Sequence, residues 1–166
     1  GGSMRSLVIS ELFAALPAAG ITCLRFDFRG VGESQGSFDN GDGERLDVRA
    51  ALDALRAEAG EAGPLVLAGW SFGADVALSV DDPHLAAWIA IACPLHYTHD
   101  VEVVAADARP KRLALAAHDE FRAPEQVIAE VTGWSNTTVE VIGGASHFFV
   151  GRTDALTRVV SSFVDE

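Results

Sequence analysis

Short apolar runs alternate with amphipathic stretches along almost the whole chain, and this alternation constrains the fold more than any other feature. The runs "ITCLRFDF" (21–28), "PLVLAGW" (64–70), "AAWIAIAC" (86–93), "RLALAAH" (112–118) and "TTVEVI" (137–142) read as strands. Most are apolar on both alternations, as expected of parallel strands covered on both faces. Between and around them lie helix-like segments. Val8, Leu12 and Ala15 recur at helical spacing before a stop at Gly20, and Val48, Leu52 and Leu55 do so before Gly60. Further helices are expected from Phe72 to about Val80, from about Pro124 to Val131, and from Thr153 onward with Leu156, Val160 and Phe163 on one face. The stretch between Cys93 and Arg112 reads as a connecting loop. The expected fold class is therefore α/β: a predominantly parallel sheet of about five strands with helices on both faces, forming one domain over residues 1–166.

Charge narrows the partners. The formal net charge is −12 over 166 residues, which disfavours nucleic acid and anionic membrane surfaces and leaves a small molecule as the expected partner. The longest nearly apolar run, Leu85 to Leu95, is too short to cross a bilayer and contains Pro94. Cys23 and Cys93 both fall in strand-like runs and are expected to be buried and reduced. With no signal peptide in the chain as given, a cytoplasmic location is expected.

The pentapeptide "GWSFG" (69–73) joins the second strand-like run to a helix. A serine on a sharp strand-to-helix turn projects its hydroxyl at the carboxyl end of the sheet, where reactive groups of α/β folds collect. Small residues are expected two positions to either side, at Gly69 and Gly73, because such a turn crowds its neighbours. Ser71 is thus a candidate nucleophile, and the backbone N–H of Phe72, at the helix start, is a candidate oxyanion donor.

A serine hydroxyl needs a base, and the base needs an orienting partner. His147 in "GGASHFF" follows the last strand-like run, with Gly143 and Gly144 available to turn it toward Ser71; Asp119 in "AAHDEF" ends the preceding run. The chain order Ser, Asp, His suits this architecture. His118 adjoins Asp119 and should point away from it. His96 and His99 form an H-x-x-H without a suggestive third ligand, so no metal is expected. Trp70, Phe72, Phe148 and Phe149 are candidates for an apolar acyl pocket. The glycines of "GVGESQG" are spaced G-x-G-x-x-x-G and not G-x-G-x-x-G, which argues against a dinucleotide site.

The segments "LRFDFRGVGESQGSFDNGDGERLD", "GWSFGA", "HDEF" and "GASHFF", in this order, resemble the α/β-hydrolase superfamily, and in particular the short bacterial hydrolases of the dienelactone-hydrolase-like kind. The resemblance implies Ser71 as nucleophile, Asp119 as acid, His147 as base and the Phe72 amide as one oxyanion donor, without metal or organic cofactor. Glu44 and Asp47 look like the acidic pair that follows the loop in that family; on their own they read as helix-start charges. The family pattern also has earlier strands and a loop leading into "GGSM", which this sequence lacks. The resemblance therefore implies an N-terminally truncated chain, in which a strand between 21–28 and 64–68 is absent or those two strands pair directly; an expression scar at "GGSM" is the other reading of that start. The implied activity is hydrolysis of small carboxylic esters through an acyl-enzyme on Ser71. A thioesterase or peptidase with the same three residues, or a non-catalytic hydrolase-like fragment, are the alternatives. The short stretch from Pro94 to Lys111 leaves no room for a large helical cap, so an open site is expected.

Overall fold

A computed structural model describes residues 2–60 and 63–164. Four parallel strands, β1 (Leu65–Trp70), β2 (Leu85–Ile91), β3 (Lys111–His118) and β4 (Thr137–Ser146), form one sheet in the order β1-β2-β3-β4. Six helices accompany them: α1 (Leu7–Ala18), α2 (Asp42–Ala59), α3 (Phe72–Leu78), α4 (Val101–Ala106), α5 (Pro124–Glu130) and α6 (Thr153–Val164).

Side chains alternate across each strand, and on the central strands β2 and β3 both faces are buried. On β2 and β3, Ala87, Ile89, Ile91, Ala114 and Ala116 pack with Val8 and Leu12 of α1 and with Leu156, Val160 and Phe163 of α6. Trp88, Ala90, Leu113 and Leu115 face the other way, toward Val48 and Leu52 of α2, Val76 of α3, Val104 of α4 and Val127 of α5. The continuous apolar character of these two strand sequences follows from this double burial.

Two expectations are corrected. Residues 21–28 belong to no strand; β1 pairs with β2, and direct pairing of β1 with 21–28 does not occur among the described residues. The segment is held by side chains instead. Phe26 and Phe28 pack against the α2–α3 side of the core, Arg25 donates to the Met4 carbonyl at 3.0 Å, and the Met4 N–H donates to Asp27. Apolar sequence alone does not distinguish a paired strand from a segment pinned this way. In consequence Cys23 is only half-buried, whereas Cys93 is buried; both are free thiols, and burial pushes that of Cys93 up. The second correction is the six-residue helix α4 inside the expected loop.

The long turn after residue 28 is fastened to α2. Asp47 grips the Arg29 guanidinium at 2.8 Å and also accepts its backbone N–H at 3.0 Å. Glu44, 1% exposed, accepts the N–H groups of Asp39 and Gly41, both at 2.9 Å. Beyond their placement at the helix start, these two acids therefore organise the loop.

Candidate active site

Strand register brings the site together. His118 pairs with Ser146 at the ends of β3 and β4, so the next residues, Asp119 and His147, emerge side by side. From Ala116 to His118 β3 advances two residues while β4 advances four, from Ile142 to Ser146. The surplus lies at Gly143 and Gly144, and Gly144 has φ +70°, a left-handed conformation that suits glycine. On the other side of the sheet, the Ser71 N–H donates to the Ile91 carbonyl at 2.8 Å and carries the β1–β2 ladder one residue past the strand.

Ser71 then turns sharply, with φ 56° and ψ −125°. A non-glycine residue held at positive φ is strained, and surrounding structure must hold it there. Gly69 permits the turn: a Cβ at that position would lie 2.1 Å from the Gly73 carbonyl oxygen. Gly73 itself is less confined than its place in the pentapeptide implied, since a Cβ there would meet only the Phe28 ring at 3.7 Å.

The imidazole Nε2 of His147 lies 2.9 Å from Ser71 Oγ, and its Nδ1 lies 2.8 Å from Asp119 Oδ2. Both His147 and Asp119 have nearly buried side chains. A carboxylate can only accept, so the proton sits on Nδ1 and leaves Nε2 as the acceptor of the serine hydroxyl. The other Asp119 oxygen accepts the N–H groups of Phe121 at 2.9 Å and Arg122 at 3.2 Å, which fixes the carboxylate plane.

The histidine backbone is held as well. Its carbonyl accepts the Trp70 indole N–H at 3.0 Å, and its N–H donates to Glu120 Oε2 at 3.1 Å. That backbone N–H holds the Glu120 carboxyl below its usual range. Glu120 was missed by the sequence reading because a residue acting through a backbone amide leaves no motif. In α3, the Ala74 and Asp75 N–H groups return to the Ser71 carbonyl, whereas the Phe72 N–H, in the first turn, has no intrahelical acceptor.

Ser71 opens onto a cleft of about 350 Å³ lined by Phe72, Pro94, His96, Tyr97, Phe121 and Arg122. The expected acyl-pocket set is thereby revised. Phe72 lines the cleft, but Trp70 stands behind the His147 ring with centroids 5.5 Å apart, Phe149 is fully buried in the core, and Phe148 is exposed beside His147. His118 is exposed, and its β3 position sends it away from Asp119. His96 packs edge-on against Tyr97, and His99 lies beside the Asn40 carbonyl; no metal-binding cluster is found among the described residues. Among them, too, no helix is long and apolar enough to cross a membrane.

Known proteins share this fold. A lidless α/β serine hydrolase from Xanthomonas campestris is 35% identical, with a TM-score of 0.88 over 99% of this chain and 75% of that one. An α/β serine hydrolase homologue from Coxiella burnetii is 36% identical, with a TM-score of 0.84 over 98% of this chain and 78% of that one. An uncharacterized protein of Rickettsia prowazekii is 32% identical over 98% of this chain and 73% of its own length. The family described as "Serine aminopeptidase, S33" matches residues 1–131, a span that includes the Ser71 turn and Asp119. The fold, the sharp serine turn and these likenesses agree: the chain belongs to that family of α/β serine hydrolases.

Proposed function

We propose that this hydrolase cleaves carboxylic esters through an acyl-enzyme on Ser71, with His147 as general base and acid and Asp119 as its orienting partner. The observation that carries the reading is the continuous relay from Ser71 Oγ through His147 to Asp119, with contacts of 2.9 Å and 2.8 Å. As Ser71 Oγ attacks the ester carbonyl, its proton passes to Nε2. The resulting imidazolium is stabilised by Asp119, and the oxyanion accepts the Phe72 N–H. Collapse expels the alcohol, which takes the proton from Nε2. Water, deprotonated by the same nitrogen, then releases the acid and restores Ser71.

The cleft supports an ester over an aminopeptide substrate. Among the described residues lining it none carries a carboxylate to hold a substrate ammonium, and most of the lining is aromatic or apolar. The Xanthomonas relative is described as lidless, and here the stretch between β2 and β3 holds a single helix, α4, of six residues. An open cleft suited to small esters follows from that reading, with a small molecule as the partner and no organic cofactor in the chemistry. The test is to compare p-nitrophenyl butyrate, a butyryl thioester and an aminoacyl p-nitroanilide as substrates, with Ser71→Ala as control. Ester turnover that vanishes in the variant is expected; preferred anilide turnover would transfer the reading to a peptidase, and preferred thioester turnover to a thioesterase.

A further inference from the structure

One buried acid takes no part in the relay. Asp75 lies on α3, four residues after Ser71, and is fully buried. Its carboxylate accepts three consecutive backbone N–H groups of the loop after β2: Leu95 at 2.9 Å on one oxygen, His96 at 2.8 Å and Tyr97 at 2.9 Å on the other. One turn along the same helix, the Ser79 hydroxyl donates to the Asp75 carbonyl at 2.7 Å and accepts the His99 N–H at 2.8 Å. The loop is gripped from its other side by Arg122, whose guanidinium donates to the Pro94 carbonyl. Leu95 is held at φ 55°, a conformation a leucine keeps only when its surroundings impose it.

The gripped loop is also a wall of the cleft, because Pro94, His96 and Tyr97 line it beside Ser71. Phe72, the first residue of α3, packs edge-on against Tyr97 with ring centroids 5.2 Å apart. The helix that begins at the candidate oxyanion donor thus carries, one turn later, the acid that sets the substrate wall.

From this geometry we infer that Asp75 is a positioning residue for substrate specificity: it locks the 95–97 loop to α3 so that His96 and Tyr97 form a fixed aromatic wall for the apolar part of the ester. The proposal rests on the ester-hydrolase reading of the same site. Burial pushes the Asp75 carboxyl up, against the smaller opposing pull of the three loop amides. Neutral isosteric replacement is the informative change. In Asp75→Asn one carboxylate oxygen becomes an NH₂, which must face at least one loop N–H donor to donor, so one or two of the three contacts are lost and the grip is loosened while side-chain volume is kept.

The test pairs amide hydrogen exchange with kinetics. Wild-type protein should protect the amides of Leu95, His96 and Tyr97, and Asp75→Asn should lose that protection at one or more of the three while the amides of Val76 to Leu78 in α3 keep theirs. With phenylacetate-type esters, whose ring reaches the wall, the variant should raise KM by about tenfold and lower kcat far less; with methyl acetate, which does not reach it, the rise should be no more than about twofold, as for loss of uniform binding to one part of the substrate. Tyr97→Ala should reproduce the same split. Unprotected loop amides in the wild type, unchanged protection in the variant, or equal KM effects on both esters would overturn the proposal. Should Asp75→Asn not fold, the wild-type exchange pattern and the Tyr97→Ala split decide the matter by the same criteria. Failure of the ester reading shows separately, as anilide or thioester turnover preferred over ester, or as ester turnover that persists in Ser71→Ala.

Discussion

Gly69 and Gly73 approach so closely that a Cβ on the first would lie 2.1 Å from the carbonyl oxygen of the second. Both contacting groups are backbone, so neither can swing aside. Gly69→Ala should therefore cost about 3 kcal/mol or more and displace the Ser71 turn. Gly73→Ala, which meets only the Phe28 ring at ordinary contact distance, should stay within about 1 kcal/mol of wild type, given the better helix propensity of alanine. Urea denaturation of the two variants checks the contrast.

Asp119→Asn should fold normally and lose activity on the order of 10⁴-fold. An asparagine can satisfy Phe121 and Arg122 only by turning its NH₂ toward His147, which then must take its proton on Nε2 and can no longer accept from Ser71. Single-turnover ester hydrolysis beside circular dichroism separates this outcome from unfolding.

Trp70 and Glu120 hold the two backbone groups of His147, at 3.0 Å and 3.1 Å. Trp70→Phe and Glu120→Gln should each lower kcat by roughly tenfold with little change in KM, because a base displaced by a fraction of an ångström loses reactivity and not substrate binding. Glu120→Gln retains an acceptor oxygen and should be the milder of the two. Steady-state kinetics on p-nitrophenyl butyrate tests the ordering.

A fourth expectation concerns pH. The side-chain hydrogen bond from Arg109 depresses the Asp107 carboxyl to about 2, against an ordinary value of 3.8. Because the folded value is the lower one, the unfolded chain binds more protons in that window, and the stabilisation is present above about pH 4 and lost as pH falls toward 2. The stability gap between wild type and Asp107→Asn should accordingly narrow over that interval in denaturant titrations, while staying constant between pH 5 and 7.

Much of this architecture was legible in the residues. The four paired strands and five of the helices announce themselves by apolar runs and 3.6-residue spacing, and Ser71, Asp119 and His147 each follow a strand end. What escaped reading was what depends on partners distant in sequence. Residues 21–28 have strand composition, but pairing belongs to the neighbour and not to the segment. The short α4 carries too few turns to show a periodicity. Trp70 looked like pocket lining because an aromatic beside a serine turn suggests substrate contact; its indole N–H instead reaches 77 positions along the chain to the His147 carbonyl. Glu120 and Asp75 act on backbone amides, which any residue type supplies, so no motif marks them.

An activated Ser71 should react with an electrophile that serine hydrolases accept. The decisive measurement is labelling with a fluorophosphonate probe followed by mass spectrometry of the digested protein. One adduct is expected, on the peptide carrying Ser71, absent from Ser71→Ala and strongly slowed in His147→Ala. A folded wild-type chain that remains unlabelled, or carries the adduct on another residue, would contradict Ser71 as the activated nucleophile.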